Sequence, residues 1–218
     1  MSVLAAVPVK DLVNAKQRLI PLLSAPERRE LARAMLEDVL GALLEALPGQ
    51  VAVVTADAEV VELARGWGAD CLVESANRGH TEAVAFAQHA ARSRGATAFL
   101  TIAGDVPCVT AGEVRALSGI LVGGDGVAFV PSLSGFGTNA ALLAPPDLMP
   151  LKFGEPSFGN HLEAARERGL VPTVLRLPGL GLDIDSPEDV RLLLERGAPT
   201  RSAALLRDRG VADRLSGR

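Results

Sequence analysis

Aromatic residues are scarce in this chain of 218 residues: they make up 3% of it, and there is no tyrosine. The core must therefore be built from aliphatic side chains, which a hydrophobic fraction of 48% supplies amply. The chain also lacks an excess of basic residues, since its formal net charge is −4. We therefore expect no nucleic-acid partner, because proteins that bind nucleic acid need a basic face for the phosphate backbone.

Cysteines and long apolar runs are few as well. Cys71 and Cys108 show neither a metal-ligand spacing nor a disulfide framework, so we expect both to be small buried hydrophobic residues. No stretch of 18 apolar residues occurs, and the apolar run in the first ten residues is too short for a signal peptide. We therefore expect a cytoplasmic protein with no membrane partner.

Short apolar runs alternate regularly with amphipathic segments along the chain. The predicted strands are 3–7, 51–55, 70–73, 98–102, 127–131, 139–143 and 173–177. The predicted helices are 24–47, 57–67, 81–94, 110–121, 158–169 and one that begins at Ser186. This alternation predicts an α/β fold with a mostly parallel sheet and helices on both faces. A Gly-rich loop joins the fifth and sixth strands, which predicts an antiparallel addition to that sheet.

The domain organisation follows from these elements. We place a single domain over residues 1–196, because α/β folds often reach this size without splitting. Residues 197–218 form an Arg-rich, weakly amphipathic C-terminal tail, which we expect either to pack as a short helix or to fray.

Three aspartates follow apolar runs at points where the chain turns or a helix starts. Asp105 lies in TIAGDVP, and Asp183 and Asp185 lie in GLDIDSPEDV. Ligands in open α/β sheets sit outside the carboxyl ends of the strands, so these side chains can meet there. Three converging carboxylates repel one another unless a cation lies between them, and oxygen ligands suit Mg²⁺. We therefore predict a Mg²⁺ site at these aspartates, although they can also be interpreted as simple caps of turns and helices.

A loop with three cations follows the first strand. Lys10, Lys16 and Arg18 lie within nine residues of one another, and the glycines of a Walker A loop or a dinucleotide fingerprint are absent. A nucleoside triphosphate carries about four negative charges, which must be neutralised when pyrophosphate leaves. The position of the loop after the first strand favours this role over that of a solvated basic turn.

Two further loops are predicted to lie near this edge of the sheet. After the third strand, Gly79 lets the backbone approach a base or ribose. Its neighbours Arg78 and His80 can face a ligand, and the helix that follows offers free N–H groups. A histidine such as His80, taken alone, is more typical of a surface or capping residue. Small residues, hydroxyls and a helix N-terminus around Thr138, Gly154 and Ser157 are typical of an anion site, as well as of a plain turn and cap. We assign these three to the acceptor substrate. His161, one helical turn past Ser157, either faces this pocket or is structural.

Five motifs spread over residues 8–190 resemble one known family. They are PVKDLVNAKQRL (8–19), GDVP (104–107), GFGTNA (135–140), FGEPSFGNHLEAARERGL (153–170) and GLDIDSPEDV (181–190). GDVP alone occurs in many nucleotidyltransferases, but the set together is specific. The chain resembles the 2-phospho-L-lactate guanylyltransferase family of coenzyme F420 biosynthesis, which includes phosphoenolpyruvate and 3-phosphoglycerate guanylyltransferases.

This resemblance implies a single-domain, three-layer α/β/α nucleotidyltransferase fold like that of the nucleotide-diphospho-sugar transferases. It implies transfer of GMP from GTP to a three-carbon phospho-acid, with Mg²⁺ as cofactor. The implied roles are Mg²⁺ binding by Asp105, Asp183 and Asp185, nucleotide binding by Lys10, Lys16, Arg18, Gly79 and His80, and acceptor binding by Thr138, Gly154 and Ser157. Lys10, Lys16, Arg18 and Asp105 are then the catalytic residues. Gly79-His80-Thr81 departs from a Gly-Leu-Asn stretch that is frequent in the family, and this departure concerns the choice of base and also that of the acceptor.

Other functions fit parts of the pattern. A nucleotidyltransferase for a sugar phosphate or a molybdopterin would use the same aspartates, whereas a glycosyltransferase would not need three cations for a triphosphate. A non-catalytic nucleotide-binding partner subunit would not need all three aspartates. We expect GTP and a small phosphorylated three-carbon acid as partners, and consider both a homodimer and a hand-off of the product to a downstream F420-pathway transferase.

Overall fold

Seven strands form one sheet in the computed structural model, which describes residues 2–121 and 124–216. The strands are β1 (Val3–Pro8), β2 (Val51–Thr55), β3 (Asp70–Val73), β4 (Ala98–Ile102), β5 (Gly126–Pro131), β6 (Thr138–Ala144) and β7 (Thr173–Val174). Their order in the sheet is β3-β2-β1-β4-β6-β5-β7. Strand β6 pairs antiparallel with both β4 and β5, and the other pairings are parallel. The predicted α/β class, with a mostly parallel sheet and an antiparallel addition, is confirmed.

The helices in the described part of the chain flank this sheet. They are α1 (Ala25–Ala46), α2 (Ala58–Gly66), α3 (His80–Ser93), α4 (Ala111–Gly119), α5 (Ser157–Glu167), α6 (Pro178–Gly181), α7 (Pro187–Arg196), α8 (Arg201–Asp208) and α9 (Val211–Leu215). Residues Gln17–Leu19 add one turn of 3₁₀ helix. None of these helices combines the length and the apolar character needed to cross a membrane.

Alternate residues of each central strand pack on opposite faces of the sheet. In β1, Val3, Ala5 and Val7 face one core with α1, α2 and α4, whereas Leu4 and Ala6 face a second core with α3 and α5. This arrangement follows from the two-residue period of a strand, and it explains why all six residues of β1 are buried. The result is the predicted three-layer α/β/α architecture.

Helix starts agree with the capping residues in the sequence. Ser24 and Glu27 form a capping box at α1, and Thr110 and Glu113 form another at α4. At α7 the N-cap is Ser186, with a proline in the first turn. Each cap satisfies backbone N–H groups that a helix leaves free at its N-terminus, so the position of the cap fixes where the helix begins.

The C-terminal tail packs as two helices, rather than as a short helix or a frayed end. Ala203, Leu206 and Val211 are buried in a third cluster, together with residues of α1 and α7. A carboxylate of α1, Asp38, accepts hydrogen bonds from the backbone N–H groups of Arg201 (2.8 Å) and Ser202 (3.0 Å). The first turn of α8 is therefore capped both by its own N-cap residue, Thr200, and by a residue that is distant in the sequence.

Two smaller expectations need correction. The predicted strand 173–177 is only two residues long, because the chain turns into α6 at Pro178, whose ring cannot donate to a sheet ladder. Cys71 and Cys108 are free thiols, as expected, but they are half-buried rather than buried. The thiol of Cys71 lies near the surface because β3 is the edge strand of the sheet.

Candidate active site

A pocket of about 330 Å³ opens at the carboxyl ends of β1 and β4. The sheet topology creates it, because β6 runs antiparallel and begins where β4 ends: Ala103 N–H donates to the Asn139 carbonyl at 2.8 Å. The loops after β1 and β4 therefore face the start of β6 and the segment before α5. Predicted site residues that line the pocket are Lys10, Lys16, His80, Asp105, Thr138, Gly154, Ser157 and Asp183.

Four predicted residues lie outside the lining of this pocket. One of them, Arg78, is exposed in the segment before α3. Arg18 is exposed in the 3₁₀ turn, although its charge still acts on Asp185. Gly79 is the N-cap residue of α3, and its φ of 100° requires glycine. Asp185 points to Lys16 instead of into the pocket lining.

Lys16 bridges two of the predicted aspartates. Its Nζ lies 2.5 Å from Asp105 Oδ2 and 2.7 Å from Asp185 Oδ1, and its side chain is 8% exposed. Burial alone would lower the pKa of Lys16, but the charges of the two carboxylates outweigh burial and raise it. The same pairing lowers the pKa of Asp185 against the effect of its own burial. Lys16 is therefore a permanent cation at the base of the pocket.

Asp183 is held by a side-chain amide rather than by a cation. Asn139 Nδ2 donates to Asp183 Oδ1 at 3.0 Å and also to the Leu180 carbonyl at 2.9 Å, so it ties this carboxylate to β6. Burial and the negative charges of Asp105 and Asp185 raise the pKa of Asp183. The centre therefore carries more negative charge than Lys16 balances.

The three aspartates do not come together as one metal-binding group. Among the residues that the structure describes, no three His, Cys, Asp or Glu side chains are placed to hold a metal ion together. Asp105 and Asp183 nevertheless both line the pocket, and their donor atoms are all oxygens. Two carboxylates completed by substrate phosphates are a usual Mg²⁺ environment in nucleotide-dependent enzymes.

The three predicted acceptor residues lie together on the other side of the pocket. The backbone N–H of Thr138 donates to Ser157 Oγ at 3.0 Å, so the start of β6 is joined to the start of α5. Gly154 lies in the connecting segment with φ at 115°, a conformation that a side chain would strain. Backbone and hydroxyl groups at a helix N-terminus are well suited to bind an anion.

His161 and Thr81 support this side of the pocket from behind. His161 is 1% exposed, and its Nδ1 lies 3.0 Å from Thr138 Oγ1. Burial lowers the pKa of His161 to about 4, so its ring is neutral. Thr81 Oγ1 accepts from the Phe153 N–H at 3.0 Å, and the His80 ring meets Phe153 edge-on with centroids 4.4 Å apart. The Gly79-His80-Thr81 segment thus contacts the acceptor segment.

Some lining residues were not predicted. Asn139 directly follows Thr138 in the GFGTNA motif, and its position in that motif could have identified it as a pocket residue. Phe153 and Glu155 flank Gly154 in the same way. Asp11 follows Lys10, and nothing in its local sequence distinguishes it from a solvent-exposed loop residue.

Comparisons with known proteins agree with this geometry. A family model described as guanylyl transferase CofC like matches residues 2–216. A phosphoenolpyruvate guanylyltransferase of Sphaerobacter thermophilus is 40% identical over 194 residues, which are 88% of this chain and 93% of that protein. A 2-phospho-L-lactate guanylyltransferase of Methanothermobacter thermautotrophicus is 35% identical over 207 residues, which are 95% of this chain and 91% of that protein.

A solved structure shows the same fold. It is described as a nucleotide-diphospho-sugar transferase from Desulfovibrio desulfuricans, and it superposes with a TM-score of 0.80 at 18% identity. The match covers 98% of this chain and 96% of that one. At this level of identity the likeness concerns the fold alone, and it confirms the predicted nucleotide-diphospho-sugar transferase-like architecture.

Proposed function

Because the chain belongs to the CofC-like guanylyl transferase family, and is therefore a nucleotidyltransferase, we propose that it transfers GMP from GTP to the phosphate of a three-carbon phospho-acid. Pyrophosphate is the second product, and coenzyme F420 biosynthesis is the proposed pathway. Its proposed location is the cytoplasm. A homodimer and a hand-off of the product to a downstream transferase remain predictions from the sequence.

One observation carries this proposal: a single pocket combines groups for both substrates. Lys10, Lys16, Asp105 and Asp183 are suited to a triphosphate and its cation, and they share the pocket with the anion-binding group around Thr138 and Ser157. Two bound phosphates are thereby brought to the same place, and positioning of this kind supplies much of the catalysis in phosphoryl transfer.

The reaction needs no proton transfer. A phosphate oxygen of the acceptor forms a bond to the α-phosphorus of GTP, and the bond from that phosphorus to the bridging oxygen of pyrophosphate breaks. The acceptor oxygen is already anionic, so a general base is unnecessary. Lys10 and Lys16 neutralise charge as it develops on the leaving pyrophosphate.

We propose that Asp105 and Asp183 hold Mg²⁺ together with the phosphates of the substrates, and that Asp185 acts by fixing Lys16. A bound Mg²⁺ would neutralise phosphate charge and polarise the α-phosphate. In this assignment two of the three predicted aspartates bind the metal, and the third, Asp185, positions Lys16. Support for it comes from the lining positions of Asp105 and Asp183 and from the ion pair of Asp185.

Phosphoenolpyruvate is the first acceptor to test. The relative named for phosphoenolpyruvate is 40% identical to this chain, and the one named for 2-phospho-L-lactate is 35% identical. These acceptors and 3-phosphoglycerate differ by a double bond or by the placement of oxygens, so small changes in the pocket can decide between them.

Pyrophosphate release tests the proposal directly. Purified protein is assayed with Mg²⁺ and GTP, adding phosphoenolpyruvate, 2-phospho-L-lactate or 3-phosphoglycerate one at a time, and then repeated with ATP or CTP. We expect release that needs GTP, Mg²⁺ and one acid. Asp105→Asn should lose at least about 100-fold in turnover, whereas Asp208→Asn, an exposed control in α8 outside the pocket, should not change it. Normal turnover of Asp105→Asn would show that the metal assignment is wrong.

A further inference from the structure

His161 is a buried polar side chain next to the pocket that the proposed chemistry does not use. It does not line the pocket, and its ring is packed between Phe129, stacked at 5.3 Å between centroids, and Phe153, edge-on at 5.1 Å. A polar ring in an apolar place needs hydrogen bonds for both nitrogens, and here both nitrogens have partners. Those partners reveal what the ring does.

The hydrogen bonds of His161 determine its tautomer. The backbone N–H of Lys152 donates to Nε2 at 3.0 Å, so Nε2 must carry the lone pair. In a neutral ring the hydrogen then belongs to Nδ1, and Thr138 Oγ1, at 3.0 Å, must accept it. A protonated ring would have two donors and would lose the contact with Lys152.

This tautomer orients the hydroxyl group of Thr138. Its oxygen accepts from His161 Nδ1, and it also accepts from the Ser157 hydroxyl at 3.4 Å. Because both lone pairs of Thr138 Oγ1 are engaged, this hydroxyl can accept no further hydrogen bond, and it can only donate its hydrogen to a ligand. Within residues 2–121 and 124–216 no group receives it, and Thr138 lines the pocket.

We propose that His161 is a positioning residue that holds the Thr138 hydroxyl as a hydrogen-bond donor to the anionic acceptor. Through Lys152, the same ring keeps the segment that carries Gly154 against the pocket. The inference rests on the proposed function in one respect, namely that the acceptor phospho-acid binds at Thr138. It also explains why a histidine occupies a site between two phenylalanine rings.

Two variants of similar size separate the two hydrogen bonds of the ring. The amide of His161→Asn reaches the place of Nδ1 and can still donate to Thr138, whereas that of His161→Gln reaches the place of Nε2 and can only replace the Lys152 contact. We expect the KM for phosphoenolpyruvate to rise about 10-fold in His161→Gln and less than about 3-fold in His161→Asn, as the loss of one hydrogen bond implies. The KM for GTP should stay within about 2-fold in both. Equal acceptor KM values in the two variants, or an equal rise for GTP, would overturn the proposal.

A spectroscopic measurement tests the tautomer without any turnover. In protein labelled with ¹⁵N-histidine, the signals lost in His161→Asn identify His161. At pH 7 they should show a neutral ring with hydrogen on Nδ1, and hydrogen on Nε2 or a charged ring would refute the assignment. If no phospho-acid supports pyrophosphate release, the proposed function fails. Inorganic phosphate is then titrated into both variants, and binding that is not weaker in His161→Gln than in His161→Asn overturns the donor role.

Discussion

Lys16→Met removes an ammonium group but keeps most of the apolar length of the side chain. In the wild type this group lies 2.5 Å from Asp105 Oδ2 and 2.7 Å from Asp185 Oδ1. Without it, two carboxylates at the base of the pocket face each other and lose their shared partner. The variant therefore tests whether the ion pair is a structural part of the site as well as part of its chemistry.

The expected magnitude follows from exposure. A hydrogen bond to a charged group contributes about 1.5–3 kcal/mol, so two such bonds set an upper limit of about 6 kcal/mol. The Asp105 side chain is 29% exposed and that of Asp185 is 42% exposed, so water replaces part of what is lost. We expect the free energy of unfolding to fall by about 2 kcal/mol, which corresponds to a decrease in Tm of roughly 4–8 °C for a domain of this size.

Urea denaturation and initial rates together measure the effect. Lys10→Met is the matched control, because Lys10 lines the same pocket but is exposed. We expect Lys10→Met to change unfolding by less than about 0.5 kcal/mol, as exposed substitutions usually do. Both variants should lose kcat/KM for GTP, and Lys16→Met by about 100-fold or more. If Lys16→Met unfolds with the same free energy as Lys10→Met, the ion pairs of Lys16 do not stabilise the fold.

Three further predictions concern stability. Burial holds the pKa of His161 at about 4, against 6.5 in the unfolded chain. The neutral ring therefore contributes about 3 kcal/mol to the free energy of unfolding above pH 6.5, and this contribution is lost as the pH falls from 6.5 to 4. Urea denaturation at pH 4.5 and 7.5 should show the loss in the wild type and not in His161→Asn. Gly179→Ala would place its Cβ 2.2 Å from the Cys108 carbonyl oxygen, so we expect the free energy of unfolding to fall by about 1–3 kcal/mol. The Cβ of Gly159→Ala in α5 meets nothing within 4 Å, so this variant should be more stable than the wild type by about 0.5–1 kcal/mol. Equal Tm values for the two variants would contradict this. Asp38→Ala should loosen the first turn of α8, where Thr200 remains as the local cap, at a cost of about 1 kcal/mol. Proteolysis of the tail should become faster, and an unchanged digestion pattern would count against the capping role of Asp38.

Much of the fold is readable from local signals in the sequence. The caps at Ser24, Thr110 and Ser186 each satisfy backbone groups within three residues, so no tertiary information is needed to find them. The tail differs in part. Thr200 is a local N-cap of its first helix, but Asp38 of α1 also accepts from that first turn, and the apolar residues of the tail are buried only once α1 and α7 are in place. A local pattern could not distinguish this packed end from a frayed one.

The candidate site shows the same division. The principle that ligands sit outside the carboxyl ends of strands was enough to bring Asp105 and the first loop to one pocket. Asp183 also lines that pocket, but it follows α6 rather than a strand, and the Ile184 N–H joins its segment to the Asp105 carbonyl at 3.0 Å. The pairing of Lys16 with Asp185 was not predictable, because the two residues are 169 positions apart and no local pattern connects them. The role of His161 needed the position of Lys152, whose N–H defines the tautomer.

If both substrates react in one pocket, the product must contain a part of each, so its identity is the measurement to make first. After incubation of the protein with Mg²⁺, GTP and phosphoenolpyruvate, ³¹P NMR and mass spectrometry are used to identify the product. We predict one new diphosphate that joins GMP to the acceptor phosphate. It should form in equal amount with pyrophosphate and be absent when either substrate is left out. Release of free GMP or GDP from GTP at the same rate with and without the acid would contradict it.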